Sequence, residues 1–512
     1  MPSPAWLESS QPQPGAPGVR GLHVSQDEWR ALAQDVAACG GRLLSLWGGT
    51  DAAGAPQLRA VFLAERQALL LTLRLRDSGE RYPGIQDLFP SATRLQRAVA
   101  DLSGLHSTDP DSRPWLCHGA WPARYRPLVD GPVVEEVFKA ESDAYPFVRV
   151  EGDGVHEIPV GPVHAGVIEP GHFRISTVGE KVLKLEERLG YVHKGIEQRF
   201  TQLPIRAGHR LAARVSGDSA VAFSWAYCQA LEGISQVLIP PRAAALRAVC
   251  LEIERVANHL GDLGALGNDA GFAFGLAQFS RLKELLLRAT YEAFGERYLL
   301  NAIVPGGTRA DLVAAGCEPL DACVRQIARE VLQLRRIYDE HAGVRDRFTG
   351  AGAVEPSLAA RLGLIGLAGR ASAQALDLRT DLPCEPYVEL APVKCVRVEG
   401  DVAARVIVRF DELQESCRFI GRILSGLPSG PHLAEVPLPP ADALGIGLIE
   451  GWRGPVLVAL EAGEQGTIRR CHPHDPSWQN WPVIEHAIIG NIVPDFPLIN
   501  KSFNLSYSGH DL

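Results

Sequence analysis

Residues 244–266 read AALRAVCLEIERVANHLGDLGAL, and their apolar positions recur at spacings of three and four. That spacing predicts one long helix with a wide buried face. The same pattern recurs in 182–200 (VLKLEERLGYVHKGIEQRF), 280–300 (SRLKELLLRATYEAFGERYLL) and 320–343 (LDACVRQIAREVLQLRRIYDEHAG), so this part of the chain is expected to be a helical bundle. Just upstream, residues 214–232 read RVSGDSAVAFSWAYCQALE, a tight Ser-Gly-Asp-Ser turn feeding a helical run. A metalloenzyme often places two cysteines in such a turn. Here the positions are Ser216 and Ser219, which on residue type alone read as N-caps of the following helix.

Working outward, residues 1–20 are rich in Pro, Gly, Ser and Gln without periodicity and are expected to form a flexible tail. Residues 21–140 are expected to form a small α/β domain, because 42–49, 58–65 and 68–77 read as strands and 91–105 as a helix. The turn-rich, charged stretch 126–147 reads as a linker, with a boundary near 140–155. Residues 151–512 are expected to form a larger, mainly helical domain. It opens with a hairpin from 155–166 and 172–180 and carries a late strand pair in 395–413. The fold class is therefore α+β.

With 512 residues the chain exceeds one ordinary core, and 46% hydrophobic with 22% charged residues places it among globular proteins. A net charge of −9 without a Lys/Arg cluster argues against nucleic acid as a partner. The ten cysteines form no CxxC pair, which fits a reduced, cytoplasmic protein. Charges interrupt every apolar run before it reaches the roughly 18–20 residues of a membrane span. Contact with a membrane would then run through partner subunits. The glycines of 161–166, 303–311 and 368–374 match neither a dinucleotide nor a Walker motif, so any NADH oxidation belongs on another subunit. The stretch 471–476, CHPHDP, reads as a surface loop.

Four segments carry a resemblance. GPVHAGVIEPGHFRISTVGE (161–180), RLGYVHKGIE (188–197), LEIERVANHLGDLG (251–264) and WQNWPVIEHAIIGNIVPDFPLI (478–499) resemble, in this order, the large subunit of membrane-bound energy-converting NiFe-hydrogenases. They are also similar to the quinone-binding D subunit of respiratory complex I. YPGIQDLFPSATRLQRAVADLSGLH (82–106) is similar to the C subunit of complex I, so the chain resembles a fused C/D subunit.

In the hydrogenases a CGxC pair and a C-terminal CxxC supply four thiolates to nickel and iron. The matching positions here are Ser216, Ser219, Ser506 and Gly509. A thiolate is a soft anionic ligand, whereas a serine hydroxyl is hard and does not ionise, so this set is expected to hold no Ni-Fe centre. The resemblance implies instead an inherited cleft for a quinone headgroup, with Tyr227 and Asp269 at the positions of the complex I tyrosine and aspartate. Glu169, in the hydrogenase-like loop, matches a proton carrier to the metal, and His172 is the candidate histidine. A phenol and a buried carboxylate can both deliver protons to a reducing quinone.

The residues read alone favour plainer roles: a core tyrosine, a turn aspartate, a loop glutamate and packing histidines at 164, 193 and 259. Arg255 and His259, four apart on one helical face, read as a structural pair. The resemblance further implies a 4Fe-4S cluster in a small iron-sulfur partner subunit, antiporter-like and other integral membrane partners, and a peripheral position on the cytoplasmic face of the bacterial inner membrane. The rival function is a non-catalytic scaffold coupling redox and ion-pumping partners; an active NiFe-hydrogenase is a third.

Overall fold

The computed structural model describes residues 5–77, 79–119, 121–122, 125–131, 145–164, 168–312 and 314–512. Most of the expected linker and its boundary lie outside these residues.

The front of the chain contains helix α1 (Ala5–Ser9) and strands β1 (Gln11–Pro12) and β2 (Val19–Val24), then helix α2 (Gln26–Ala38). A capping box starts α2, with the Ser25 hydroxyl accepting from Glu28 and the Glu28 carboxylate accepting from Ser25. Strands β3 (Arg42–Thr50), β4 (Pro56–Ala64) and β5 (Gln67–Arg74) form an antiparallel meander, and β2 adds parallel to β5, giving the order β1-β2-β5-β4-β3. Helix α3 (Ala92–Ser103) packs on β3.

Residues 5–20 differ from the expected tail. Trp6 is buried, β1 pairs with β2, and the segment runs against a distant strand, where Ala16 N donates to Ile446 O and Ile446 N to Pro14 O. A few apolar anchors hold a stretch whose composition alone reads as disordered.

Strands β6 (Val155–Val160), β7 (His172–Val178) and β8 (Lys181–Arg188) form an antiparallel sheet with β7 in the middle. The hairpin is the expected one. Residues 182–188, read as helical, are instead its third strand: pairing with β7 outweighs a weak helical pattern.

The bundle consists of α4 (Ala220–Ile234), α5 (Pro241–Asp269), α6 (Ala273–Phe294), α7 (Ala314–Glu340) and α8 (Val402–Ser425). Helix α5 packs against α4, α6 and α8. The late strand pair is not formed, because residues 402–413 open α8. Asp401 caps this helix by accepting from Ala404 N at 2.8 Å, and Val402, Val406, Phe410, Leu413 and Cys417 recur at helical spacing on its buried face. High Val and Ile content suggested strands, but periodicity decided the outcome.

A sheet the sequence did not reveal follows: β9 (Leu444–Glu450), β10 (Pro455–Ala462) and β11 (Ile468–His474), all antiparallel. Helix α4 lies directly on it, since a Cβ at Gly447 would overlap the Ala226 carbonyl. CHPHDP is therefore not a surface loop: His472 and His474 end β11 and are buried, with His472 bonded to Glu197 and Ser45. The chain closes with α9 (Ser477–Ala487), α10 (Phe496–Phe503) and α11 (Tyr507–Asp511). Their return path brings Ser506 against Ser216. Among the described residues no helix is long and apolar enough to cross a membrane.

Candidate functional site

The turn before α4 and the turn before α11 meet at the floor of a cavity of about 590 Å³. Ser216 Oγ donates to Asp218 Oδ1 at 2.8 Å and lies 2.8 Å from Ser506 Oγ. Ser506 Oγ also accepts from Gly509 N at 2.8 Å, which makes Ser506 a working N-cap for α11. Arg453, at the turn between β9 and β10, pairs with the Asp218 carboxylate and donates to Ser219 Oγ at 3.3 Å. Burial pushes the Asp218 carboxyl up, but Arg453 and Ser216 bring it net below its ordinary value, so it is ionised near neutral pH.

Ser219 occupies the N-cap position of α4, but its hydroxyl makes no capping bond. Glu254 of α5 does this instead, accepting from Val221 N at 2.6 Å and Ala222 N at 3.3 Å. Ser216 does not cap α4 either; its hydroxyl is committed to Asp218 and Ser506.

The cavity lining mixes apolar side chains, Val160, Ile168, Phe173, Phe496 and Leu505, with polar ones. Asp269 ends α5 at the rim, where burial raises its carboxyl pKa while nearby Lys501 pulls it down. Glu169 reaches across from the loop before β7 and accepts from the backbone and hydroxyl of Ser508. Glu169, Asp269, Ser216 and Ser506 thus share one cavity. His164 lines it as well, bonded to the Gly171 carbonyl.

Tyr227 and His172 do not line it. Tyr227 is fully buried within α4, its hydroxyl donating to Ile205 O at 2.6 Å and its ring stacked on Phe200 at 5.8 Å. It is the core tyrosine that residue type alone suggested. His172 pairs through Nδ1 with Gly161 O at 3.1 Å and packs against Phe147, and burial lowers its pKa. The tyrosine that lines the cavity is Tyr507, in SYSG, packed on Trp481 at 4.8 Å with its hydroxyl buried. Its position inside that motif was the available signal. Burial raises its pKa, so it stays a proton-carrying phenol at neutral pH.

The donor set does not fit a nickel–iron centre. No cysteine lines the cavity, and the two serine hydroxyls are bonded to each other. A guanidinium sits on the floor, where it would repel a metal cation. At the fourth position, a Cβ on Gly509 would fall 2.5 Å from the Asp475 carboxylate, so Asp475 fills the space a side chain there would need. Hard, mutually satisfied oxygens replace four soft anions.

Comparison with known proteins places this geometry in a family. A family profile described as the respiratory-chain NADH dehydrogenase 49 Kd subunit matches residues 269–445. Formate hydrogenlyase subunit 5 of Escherichia coli (strain K12) is 31% identical over 439 residues, covering 84% of this chain and 77% of that protein. The C/D subunit of the NADH-quinone oxidoreductase of Bacteroides fragilis is 25% identical over 83% of this chain and 86% of that protein. In fold, the chain is similar to one in the membrane-bound sulfane sulfur reductase, an archaeal respiratory membrane complex, with a TM-score of 0.66 and 24% identity over 70% of this chain and 99% of that one. The chain belongs to the oxidoreductase family that joins subunits of membrane-bound hydrogenase complexes to the C/D subunits of NADH-quinone oxidoreductase.

Proposed function

We propose that this chain is the peripheral subunit of a complex I-like membrane oxidoreductase and passes electrons from a neighbouring iron-sulfur subunit to a quinone or similar acceptor held in the cavity. The observation that carries the reading is the cavity itself: about 590 Å³ of space at the former ligand positions, lined by apolar side chains and by hydroxyl, carboxyl and phenol groups. Pockets of this size and mixed lining suit a flat, mainly apolar ligand with two carbonyl oxygens. Ser216 donates to Asp218, so the Ser506 proton is engaged with Ser216 and would have to leave it to reach a carbonyl. Tyr507 supplies a further hydroxyl beside the cavity, and Asp269 and Glu169 can exchange protons with water. A 4Fe-4S cluster would belong to the neighbouring iron-sulfur subunit.

The test is acceptor-dependent electron transfer in the assembled complex, comparing wild type with Asp269→Asn and Tyr507→Phe, with partner co-purification as the assembly control. Loss of a positioned proton donor lowers turnover by about 10²–10⁴-fold. Wild-type rates from both variants in an intact complex would overturn the reading and favour the scaffold. Metal analysis of the purified chain separates the hydrogenase alternative, which requires near-stoichiometric nickel.

A further inference from the structure

A second polar region lies inside the protein, away from the cavity. Four carboxylates, Glu252, Asp377, Glu412 and Glu450, and three guanidinium groups, Arg255, Arg370 and Arg379, form one cluster whose side chains are 0–1% exposed. Arg370 bridges Glu412 at 2.7 Å and Glu450 at 2.8 Å. Arg379 holds Asp377 at 2.8 Å and Glu252 at 3.4 Å, and Arg255 donates to Glu252 at 3.2 Å. At one edge His259 Nε2 lies 3.1 Å from Glu412, and at the other the buried Glu415, 8% exposed, lies 3.6 Å from Arg379.

Four fully sealed acids against three guanidiniums leave one negative charge unmatched, and the buried Glu415 beside Arg379 adds a second. An uncompensated buried charge costs several kcal/mol, so such a group takes up a proton instead. Glu412 and Asp377 each have more than one cationic neighbour, and Glu252 has two guanidiniums plus the Tyr387 and Ser416 hydroxyls. Glu450 is the poorest in partners. It faces Arg370, the Leu378 N–H at 3.1 Å and the negative charge of Asp377, while Arg255 binds only its main-chain carbonyl. Burial, then Asp377, raises its pKa to about 7 against the pull of Arg370. Burial lowers the pKa of the alternative carrier His259, which faces Glu412, Arg409 and Arg255. Room for adjustment exists, because Arg370 Nη2 and His259 Nδ1 have no hydrogen-bond partner.

Two structural links join this cluster to the cavity. Glu450 ends β9, and three residues later Arg453 forms the cavity floor; Arg255 clamps the intervening turn through the carbonyls of Glu450 at 2.7 Å and Gly451 at 3.1 Å. Along α5, Glu252, Arg255, His259 and Asp262 lie at spacings of three and four, and Asp262 accepts from Asn504, which lines the cavity, at 2.6 Å.

We propose that the Glu450-centred cluster is a proton-storing site, and that the β9–β10 turn and the α5 stripe tie its proton occupancy to negative charge arriving in the cavity. Only the O–H bond of the Glu450 carboxyl forms and breaks. Its proton comes from water as electrons reach the acceptor, and returns to water once the acceptor's two oxygens have taken up two protons for two electrons. The storage stands apart from what the cavity binds, while the coupling rests on the function proposed above.

Infrared pH titration of the purified chain in D₂O tests the storage. The wild type should show the C=O stretch of a protonated carboxylic acid that is half lost near pH 7. Glu450→Gln should abolish that band, and Asp377→Asn, which removes a raising charge, should move its midpoint to lower pH. Should Glu450→Gln fail to fold, the Asp377→Asn shift decides. Buried Glu254, raised to about 8, supplies a second band at higher pH. Storage is overturned by a wild type without a band titrating near pH 7, by a pH 7 band whose intensity Glu450→Gln leaves undiminished, or by a midpoint that ignores Asp377→Asn. In the assembled complex, reduction should strengthen the band at fixed pH. A band indifferent to redox state while the acceptor is being reduced overturns the coupling but leaves the function reading intact; absence of acceptor reduction overturns the function reading and the coupling with it.

Discussion

The cavity floor and the buried cluster use the same chemistry, carboxylate against guanidinium, under opposite conditions of access. The Asp218 side chain beside Arg453 is 39% exposed, whereas those of Glu450 and Arg370 are both 0% exposed. Arg453 itself is only 5% exposed, so breaking the floor pair resolvates Asp218 alone and costs less than breaking a pair sealed on both sides. In a sealed pair the survivor remains a bare charge in a poorly polarisable interior. Substitution at the floor should therefore change what the site does, and substitution in the cluster should change whether the chain folds. The turn from Glu450 to Gly454 has one end in each region.

The largest effect expected from this contrast is on stability. Arg370→Met leaves Glu412 and Glu450 short of their shared cation, and removing one partner from a buried network costs about 3–5 kcal/mol. Urea denaturation of the purified variant measures it. A loss below about 1 kcal/mol would mean that water reaches the cluster and that the two regions do not differ in kind.

Tyr227 tests which side of the contrast an aromatic hydroxyl belongs to. It lies wholly on the sealed side, its hydroxyl donating to Ile205 O, and it does not line the cavity. Tyr227→Phe should cost about 0.5–1.5 kcal/mol of stability and leave acceptor-dependent turnover unchanged. A fall of about 10²-fold or more would put this phenol in the reaction after all.

The long helices were legible because their apolar spacing is a property of the segment itself: the stripe through Glu252, Arg255, His259 and Asp262 is already present in LEIERVANHLGDLG. So were three strands and the helix of the front unit. The sheet β9–β11 was not, since its strands gain definition only from α4 lying across them at Gly445 and Gly447. At the site, Ser216, Ser506, Glu169 and Asp269 stand at motif positions, whereas the resemblance points to Tyr227 and the cavity is lined by Tyr507. Asp218 stands in the Ser-Gly-Asp-Ser turn, but Arg453 carries no local motif. Their pairing across 235 positions is a product of the fold.

The smallest expected effect separates two serines that read alike in sequence. Ser506 caps α11 with its hydroxyl, and Ser506→Ala should cost about 0.5–2 kcal/mol, the usual range for a lost cap. Ser219 precedes α4 in the same way but only accepts a 3.3 Å bond from Arg453, while the Glu254 carboxylate satisfies the helix N–H groups from the neighbouring helix. Ser219→Ala should therefore change stability by no more than about 0.5 kcal/mol, the range for a substitution that disturbs no special feature. Arg453 keeps its bidentate pairing with Asp218, so the floor stays in place. The measurement is paired denaturation of the two variants under one condition. Equal losses above about 1 kcal/mol would show that α4 depends on the Ser219 hydroxyl for its first turn, and that the carboxylate of Glu254 is a supplement to that cap rather than its replacement.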